Sequence, residues 1–161
     1  MEKVIKKIYH IIRWHLRKAY WKFFHVDNLD LFTHANNAES EVWSFITKNL
    51  FYLENKVRSK GTSLNVFLEL GCANGRNLFL AKQNSKSLFD LKSLKGIDLN
   101  ARAIQAGKRK IKKENIKGIE LINSDLLKYD IDSIDIIVSV ATLIYLNDKE
   151  LNIFLKKIIS D

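Results

Sequence analysis

The chain has 161 residues, a formal net charge of +9, 47% hydrophobic content, no proline and one cysteine. That length leaves room for one α/β domain and not two, while the lone Cys72 excludes an internal disulfide and suits a reducing cytosol, so a cytoplasmic protein is expected. No uninterrupted apolar run approaches the ~20 residues of a membrane span, and His10, Arg13, His15 and Arg17 break up any signal-peptide core near the basic N-terminus.

The first element in chain order is an amphipathic helix over 3–24. Ile5, Ile8, Ile12, Leu16, Ala19 and Phe23 recur every three or four residues as an apolar stripe, with Lys3, Lys6, Lys7, Arg17 and Lys18 largely off it. Two readings stand. The helix packs over a ligand pocket as a lid, or it lies as a peripheral helix on an anionic membrane, where each basic residue adds about 1 kcal/mol. A loop follows over 26–37 and carries His34, a candidate base if that loop reaches the pocket. A second helix runs from about Glu39 to Arg58 and is ended by Gly61. Residues 1–60 thus read as a helical lid or cap, and 61–161 as the ligand-binding domain.

The next stretch is the most informative. Val66-Phe67-Leu68-Glu69-Leu70 reads as a buried strand, Gly71-Cys72-Ala73-Asn74-Gly75 as a tight turn, and Leu78-Phe79-Leu80-Ala81 as the helix behind it. Glycine at 71 and 75 allows positive φ and close approach of a ligand to the backbone, and the helix points its free N–H groups at the same place. Cys72 is read as a small residue filling the turn.

Leu94-Lys95-Gly96-Ile97-Asp98 looks like a second strand ending in an acid, 29 residues after Glu69. Asn100 is placed to cap a basic helix whose packing face is Ala103, Ile104, Gly107 and Ile111, with its lysines in water. Ile119 to Leu126 alternates like a strand and then offers Asp125. Ile134 to Val140 is a near-continuous apolar run, as expected of a strand buried on both faces of a parallel sheet. A helix over Asp148 to Ser160 closes the chain.

The charge is concentrated. Residues 1–25 and 100–118 each hold seven Lys or Arg against one acid, and the remainder is slightly acidic. Nucleic acid would be drawn to the second segment through phosphate neutralisation, but no aromatic residue interleaves with its lysines. A solvated face is the simpler account.

The glycine loop lacks the third glycine of the G-x-G-x-x-G dinucleotide fingerprint, which argues against NAD. Glu69-x-Gly71-x-Ala73-x-Gly75 resembles instead the first motif of class I S-adenosylmethionine (SAM) dependent methyltransferases, and the later strands fall in that family's order over roughly residues 60–160. The resemblance implies an α/β fold: a Rossmann-like, doubly wound, mostly parallel sheet in strand order 3-2-1-4, with N-terminal helices. It implies SAM as cofactor, held by Glu69, Gly71, Cys72, Ala73, Gly75, Asp98, Leu99, Asp125, Leu126 and Ser139. In that scheme Asp98 accepts from both ribose hydroxyls, Asp125 meets the adenine amino group and the Leu126 N–H meets the ring. Ala73, in place of the family's middle glycine, asks only that this residue keep an ordinary backbone conformation. No metal-ligand set is read from the sequence.

Ala141 to Asp148 resembles the Leu-Glu-His-Leu-Pro-Asp pattern of methyltransferases acting on small molecules, with Tyr145 for the histidine and Asn147 for the proline. The Asp/Asn-Pro-Pro-Tyr quartet of enzymes that methylate exocyclic or amide nitrogen is absent. The expected activity is methyl transfer to oxygen or nitrogen of a small-molecule or saccharide-type acceptor, with Tyr145 and His34 the candidate groups beside it. Tyr145 reads equally as a core aromatic with its hydroxyl at the rim. In the family three further strands follow the last helix, so the fourth strand is expected as an open edge that finds a partner chain or a second copy. A SAM-binding subunit or fragment completed by a partner and an RNA methyltransferase are the alternatives.

Overall fold

The computed structural model describes residues 64–88, 93–131 and 133–159, with isolated helical positions at 16, 19, 22 and 52. The expected lid over 1–60, including His34 and most of both helices, lies outside the described residues.

Alternation of apolar residues makes the strands. In β1 (Val66–Leu70), Phe67 faces one side of the sheet and Leu68 and Leu70 the other, all essentially buried. β2 (Ser93–Asp98), β3 (Ile119–Asn123) and β4 (Ile136–Ser139) join it in an all-parallel sheet of order β3-β2-β1-β4. This is the Rossmann-like order that the sequence implied.

Two core clusters lie on opposite faces of the sheet. On the first, Leu78 and Ala81 of α1 (Arg76–Leu88) and Ile104 of α2 (Ala101–Lys113) pack on Phe67, Leu94, Leu121 and Ile136. On the second, Phe154 of α3 (Asp148–Ile159) and the β3–β4 connection, through Leu126 and Ile131, cover Leu68, Leu70 and Ile97. Lys157 of α3 donates to the carbonyl of Tyr129, which ties the helix to that connection.

Three local expectations are met and two are trimmed. Asn100 caps α2, its Oδ1 accepting from the N–H groups of Arg102 and Ala103 at 3.1 Å each, an arrangement worth about 1 kcal/mol. Ala103, Ile104 and Gly107 are buried, and Arg102, Lys108, Arg109, Lys110, Lys112 and Lys113 are exposed, as a solvated basic face requires. The final helix is described from Asp148 to Ile159, and Ser160 lies outside the described residues. β3 ends at Asn123, before Asp125, and β4 begins only at Ile136. Asp135 is a bracket instead: its Oδ2 accepts from the N–H groups of Asn65 and Val66 at 2.8 Å each, pinning the start of β4 to that of β1. β4 is also less buried than its apolar run suggested, because it has a strand neighbour on one side only among the described residues.

Gly107 lets α2 come down on the loop after β1. A Cβ there would stand 2.3 Å from the backbone oxygen of Asn74 and 2.3 Å from Leu121 Cδ1. In an exposed helix Gly→Ala stabilises by about 1 kcal/mol; here overpacking against backbone reverses the sign. Gly107→Ala is expected to destabilise the fold by about 1–3 kcal/mol in urea unfolding, and a stabilised variant would contradict this packing.

Candidate functional site

The chain leaves β1 toward β2 on one side, while β4 lies on the other, so the C-terminal ends of β1 and β4 flank a topological switch point. In open α/β sheets ligands bind in the crevice at such a point. The loop after β1 and the turns after β2, β3 and β4 all meet there.

The loop after β1 is held by its own amides. The N–H groups of Gly71 and Cys72 both donate to the Ile97 carbonyl, at 2.8 and 3.1 Å, and that of Gly75 to the Cys72 carbonyl at 2.8 Å. The N–H of Ala73 donates to Asp98 Oδ2 at 2.9 Å. These four N–H groups brace the loop. Gly71 has φ +70, and a Cβ there would be 2.0 Å from Thr142 Oγ1. Thr142 itself donates to the Leu70 carbonyl at 2.9 Å, folding the turn after β4 over the end of β1.

Ala73 corrects an expectation. It has φ +49, a left-handed conformation and not an ordinary one. A side chain there costs about 1–2 kcal/mol. The bonds from Cys72 and Ala73 to β2 and Asp98 hold the residue in that conformation.

Glu69 is 2% exposed, on the strand that reaches this crevice. Its Oε1 accepts from Asn77 Nδ2 at 2.5 Å, and its Oε2 is buried with no hydrogen-bond partner. Burial pushes its carboxyl up to about 7; the Asn77 bond opposes that shift and the charge of Asp98 adds to it. Ser139 Oγ, at the end of β4, is the second buried atom without a partner among the described residues. Unsatisfied buried polar groups are rare in folded proteins and call for an explanation. Here the two stand at the ends of the two strands that flank the switch point.

The remaining candidates are placed as follows. Asp98 Oδ1 accepts from the Asn100 N–H at 2.7 Å, so its carboxylate joins the loop after β1 to the cap of α2, with half-buried Leu99 between. Asp125 is half-buried, and its Oδ1 accepts from the Leu127 N–H at 3.0 Å. The Leu126 side chain belongs to the second core cluster, so only its backbone is available to a ligand. Cys72 is buried in the first cluster against Gly96, and burial pushes its thiol up, which supports the filling role over a reactive one. Tyr145 is half-buried in the 3-10 turn Leu143–Tyr145, directly after Thr142. His34 lies outside the described residues.

A family model described as a methyltransferase domain matches residues 62–160. The chain belongs to that family. A comparison with curated proteins found no match. Among solved structures, the fold is similar to that of the plantazolicin methyltransferase BpumL, determined in complex with a pentazolic desmethylPZN analog and SAH, at 18% identity and a TM-score of 0.60, covering 96% of this chain and 56% of that one. It is also similar to a protein of Methanococcus maripaludis assigned as a SAM-dependent methyltransferase, at 15% identity and a TM-score of 0.50, covering 75% and 54%. PKMT2 from Rickettsia typhi matches at 25% identity and a TM-score of 0.50, over 60% of this chain and 18% of that one. The chain thus spans about half the length of the first two structures and a fifth or less of the third.

Within the methyltransferase domain, sequence reasoning missed Asn77 and Thr142. Asn77 stands eight residues beyond Glu69, one strand end and one loop away, and no spacing rule links them. Thr142 signals itself only in hindsight, as the small polar residue opposite Gly71.

The Glu69 environment has a pH signature. Its stabilising effect is present in full below the ordinary value of 4.5, where the carboxyl is protonated folded or unfolded, and is lost as pH rises through the folded value of about 7. Glu69→Gln removes that titration. The stability difference is therefore expected to move in the variant's favour by about 3 kcal/mol across this window, as read by urea unfolding at several pH values. A difference that stays constant with pH would contradict a buried, protonated Glu69.

Proposed function

We propose that this methyltransferase domain binds S-adenosyl-L-methionine and transfers its methyl group to oxygen or nitrogen of a small-molecule or saccharide-type acceptor. One observation carries the reading: two buried polar atoms without partners, Glu69 Oε2 and Ser139 Oγ, at the ends of the strands flanking the switch point. A ligand with a cationic amino group and polar neighbours satisfies both. SAH present in the similar BpumL structure supports the same ligand class.

Each residue has a role in that reading. Glu69, once ionised, pairs with the amino group of the cofactor. Asp98, which accepts from the Ala73 and Asn100 amides at the rim of the crevice, receives the ribose hydroxyls. Asp125 and the Leu126 backbone meet the adenine, while Gly71 and Gly75, by lacking a Cβ, leave room for Thr142 and Leu121 against the loop. The bound sulfonium supplies an activated methyl group, so the chain contributes chiefly alignment, which is worth several kcal/mol of barrier. Where the acceptor must lose a proton, Tyr145, on the turn after β4, and His34 are the proposed bases.

A second reading draws on β4. This strand is half-buried for most of its length and forms the end of the sheet among the described residues. A partner chain or second copy paired along it would give a SAM-binding subunit that needs completion for turnover. The exposed lysines of α2 keep an RNA acceptor as the remaining alternative. Methyl transfer by the isolated chain separates the first two, and binding that falls steeply with salt marks the third.

Calorimetric titration is expected to give saturable SAM binding and none with NAD. Asp98→Asn should weaken SAM by at least about tenfold, the loss of one charge-assisted hydrogen bond. Unchanged affinity would remove Asp98 from the site, and NAD binding without SAM binding would overturn the reading.

A further inference from the structure

Asn77 has no assigned role, yet among the described residues it makes the one hydrogen bond that the Glu69 carboxyl receives. It stands in the first turn of α1, half-buried, directly behind the loop that Gly71 to Gly75 forms. Leu78 and Phe79 beside it are buried, so the helix turn that carries it is fixed by the core. Its amide therefore reaches Glu69 from a rigid element.

We propose that Asn77 is a positioning residue for the cofactor: by holding Oε1 of Glu69 it fixes the carboxyl group and leaves the buried Oε2 as the acceptor for the ligand's ammonium group. The inference rests on the SAM reading above and adds a proton to it. Ammonium pairing requires the ionised carboxylate, so a Glu69 that is protonated in the free chain releases its proton to solvent as the ligand binds. Asn77 makes that release easier, because its N–H donor favours the ionised form.

Among the described residues no other group offers that help. Asp98, at the end of β2, opposes ionisation of Glu69, and the Cys72 thiol in the loop is buried and protonated. In register with Glu69 stand Gly96 of β2 and Val138 of β4, neither of which titrates. Arg76, the neighbour of Asn77 in α1, is half-buried, and its own burial pushes its guanidinium down. Among the described residues Asn77 is the group that acts on Glu69 in favour of the charge.

The test compares the unaltered chain with Asn77→Leu, which keeps the size and removes the donor. SAH serves as the probe in calorimetric titration across pH, alongside carbon-13 NMR titration of the Glu69 carboxyl without ligand. At about pH 6 the variant is expected to bind SAH about tenfold more weakly, with most of the affinity restored above about pH 8, where Glu69 ionises unaided. The Glu69 midpoint should rise by about one unit. In a Glu69→Gln background, Asn77→Leu should cost no further affinity. The same loss at every pH, an unmoved Glu69 midpoint, or an equal loss in the Glu69→Gln background would overturn the proposal while SAM binding stands. A chain that binds no SAH at any pH overturns the functional reading and the proposal with it.

Discussion

One carboxylate holds the rim of the site together. Asp98 takes the Ala73 amide from the loop after β1 on one oxygen and the Asn100 amide at the start of α2 on the other. Charge-assisted bonds of this kind contribute roughly 1.5–3 kcal/mol each, enough to hold Ala73 at a positive φ that its side chain disfavours. The same junction is reinforced from behind, where the Asp98 carbonyl accepts from Asn123 Nδ2 and the Ser124 N–H. Three strand ends are thereby brought to one place. The buried carboxyl of Glu69 can stay incompletely satisfied there because the scaffold around it is so thoroughly bonded.

Much of this frame was legible in the sequence, for a physical reason. Strand and helix periodicity is local, so β1, β2 and α2 fall where Phe67–Leu70, Leu94–Asp98 and Asn100–Ile111 put them. The cap at Asn100 is local too, since its acceptor serves N–H groups two and three residues ahead. Illegible were the contacts that span the fold. Ala73 was expected in ordinary backbone because an alanine prefers it; bonds to β2 and Asp98 decide otherwise. Thr142 lies 72 residues from the carbonyl to which it donates, and Asn77 meets Glu69 only because the loop turns back on itself. The start of β4 shifted for the same reason: Asp135 brackets Asn65 and Val66, far away in sequence.

The chemistry follows from what is left over once the frame is built. Most loop amides, the cap and the turn after β4 consume one another, and the two buried atoms without partners among the described residues belong to a carboxyl and a hydroxyl at the switch point. A methyltransferase domain that presents an acid and a hydroxyl there suits a ligand with a positively charged amino group. The basic face of α2 is separate from this, lying in solvent with Lys110 resting 4.6 Å over the Phe79 ring. The charge of α2 and the site are therefore separate features, and this basic face does not by itself choose the acceptor.

The central claim is that the ligand sits at the ends of β1 and β4 and nowhere else. Amide chemical-shift mapping by nuclear magnetic resonance during addition of SAM tests it most directly. The account predicts perturbations gathered in the loop 71–77, at 98–100, at 125–126 and at Ser139, with the basic face of α2 unchanged. Perturbations confined to that face, or scattered evenly over a folded chain, would contradict it.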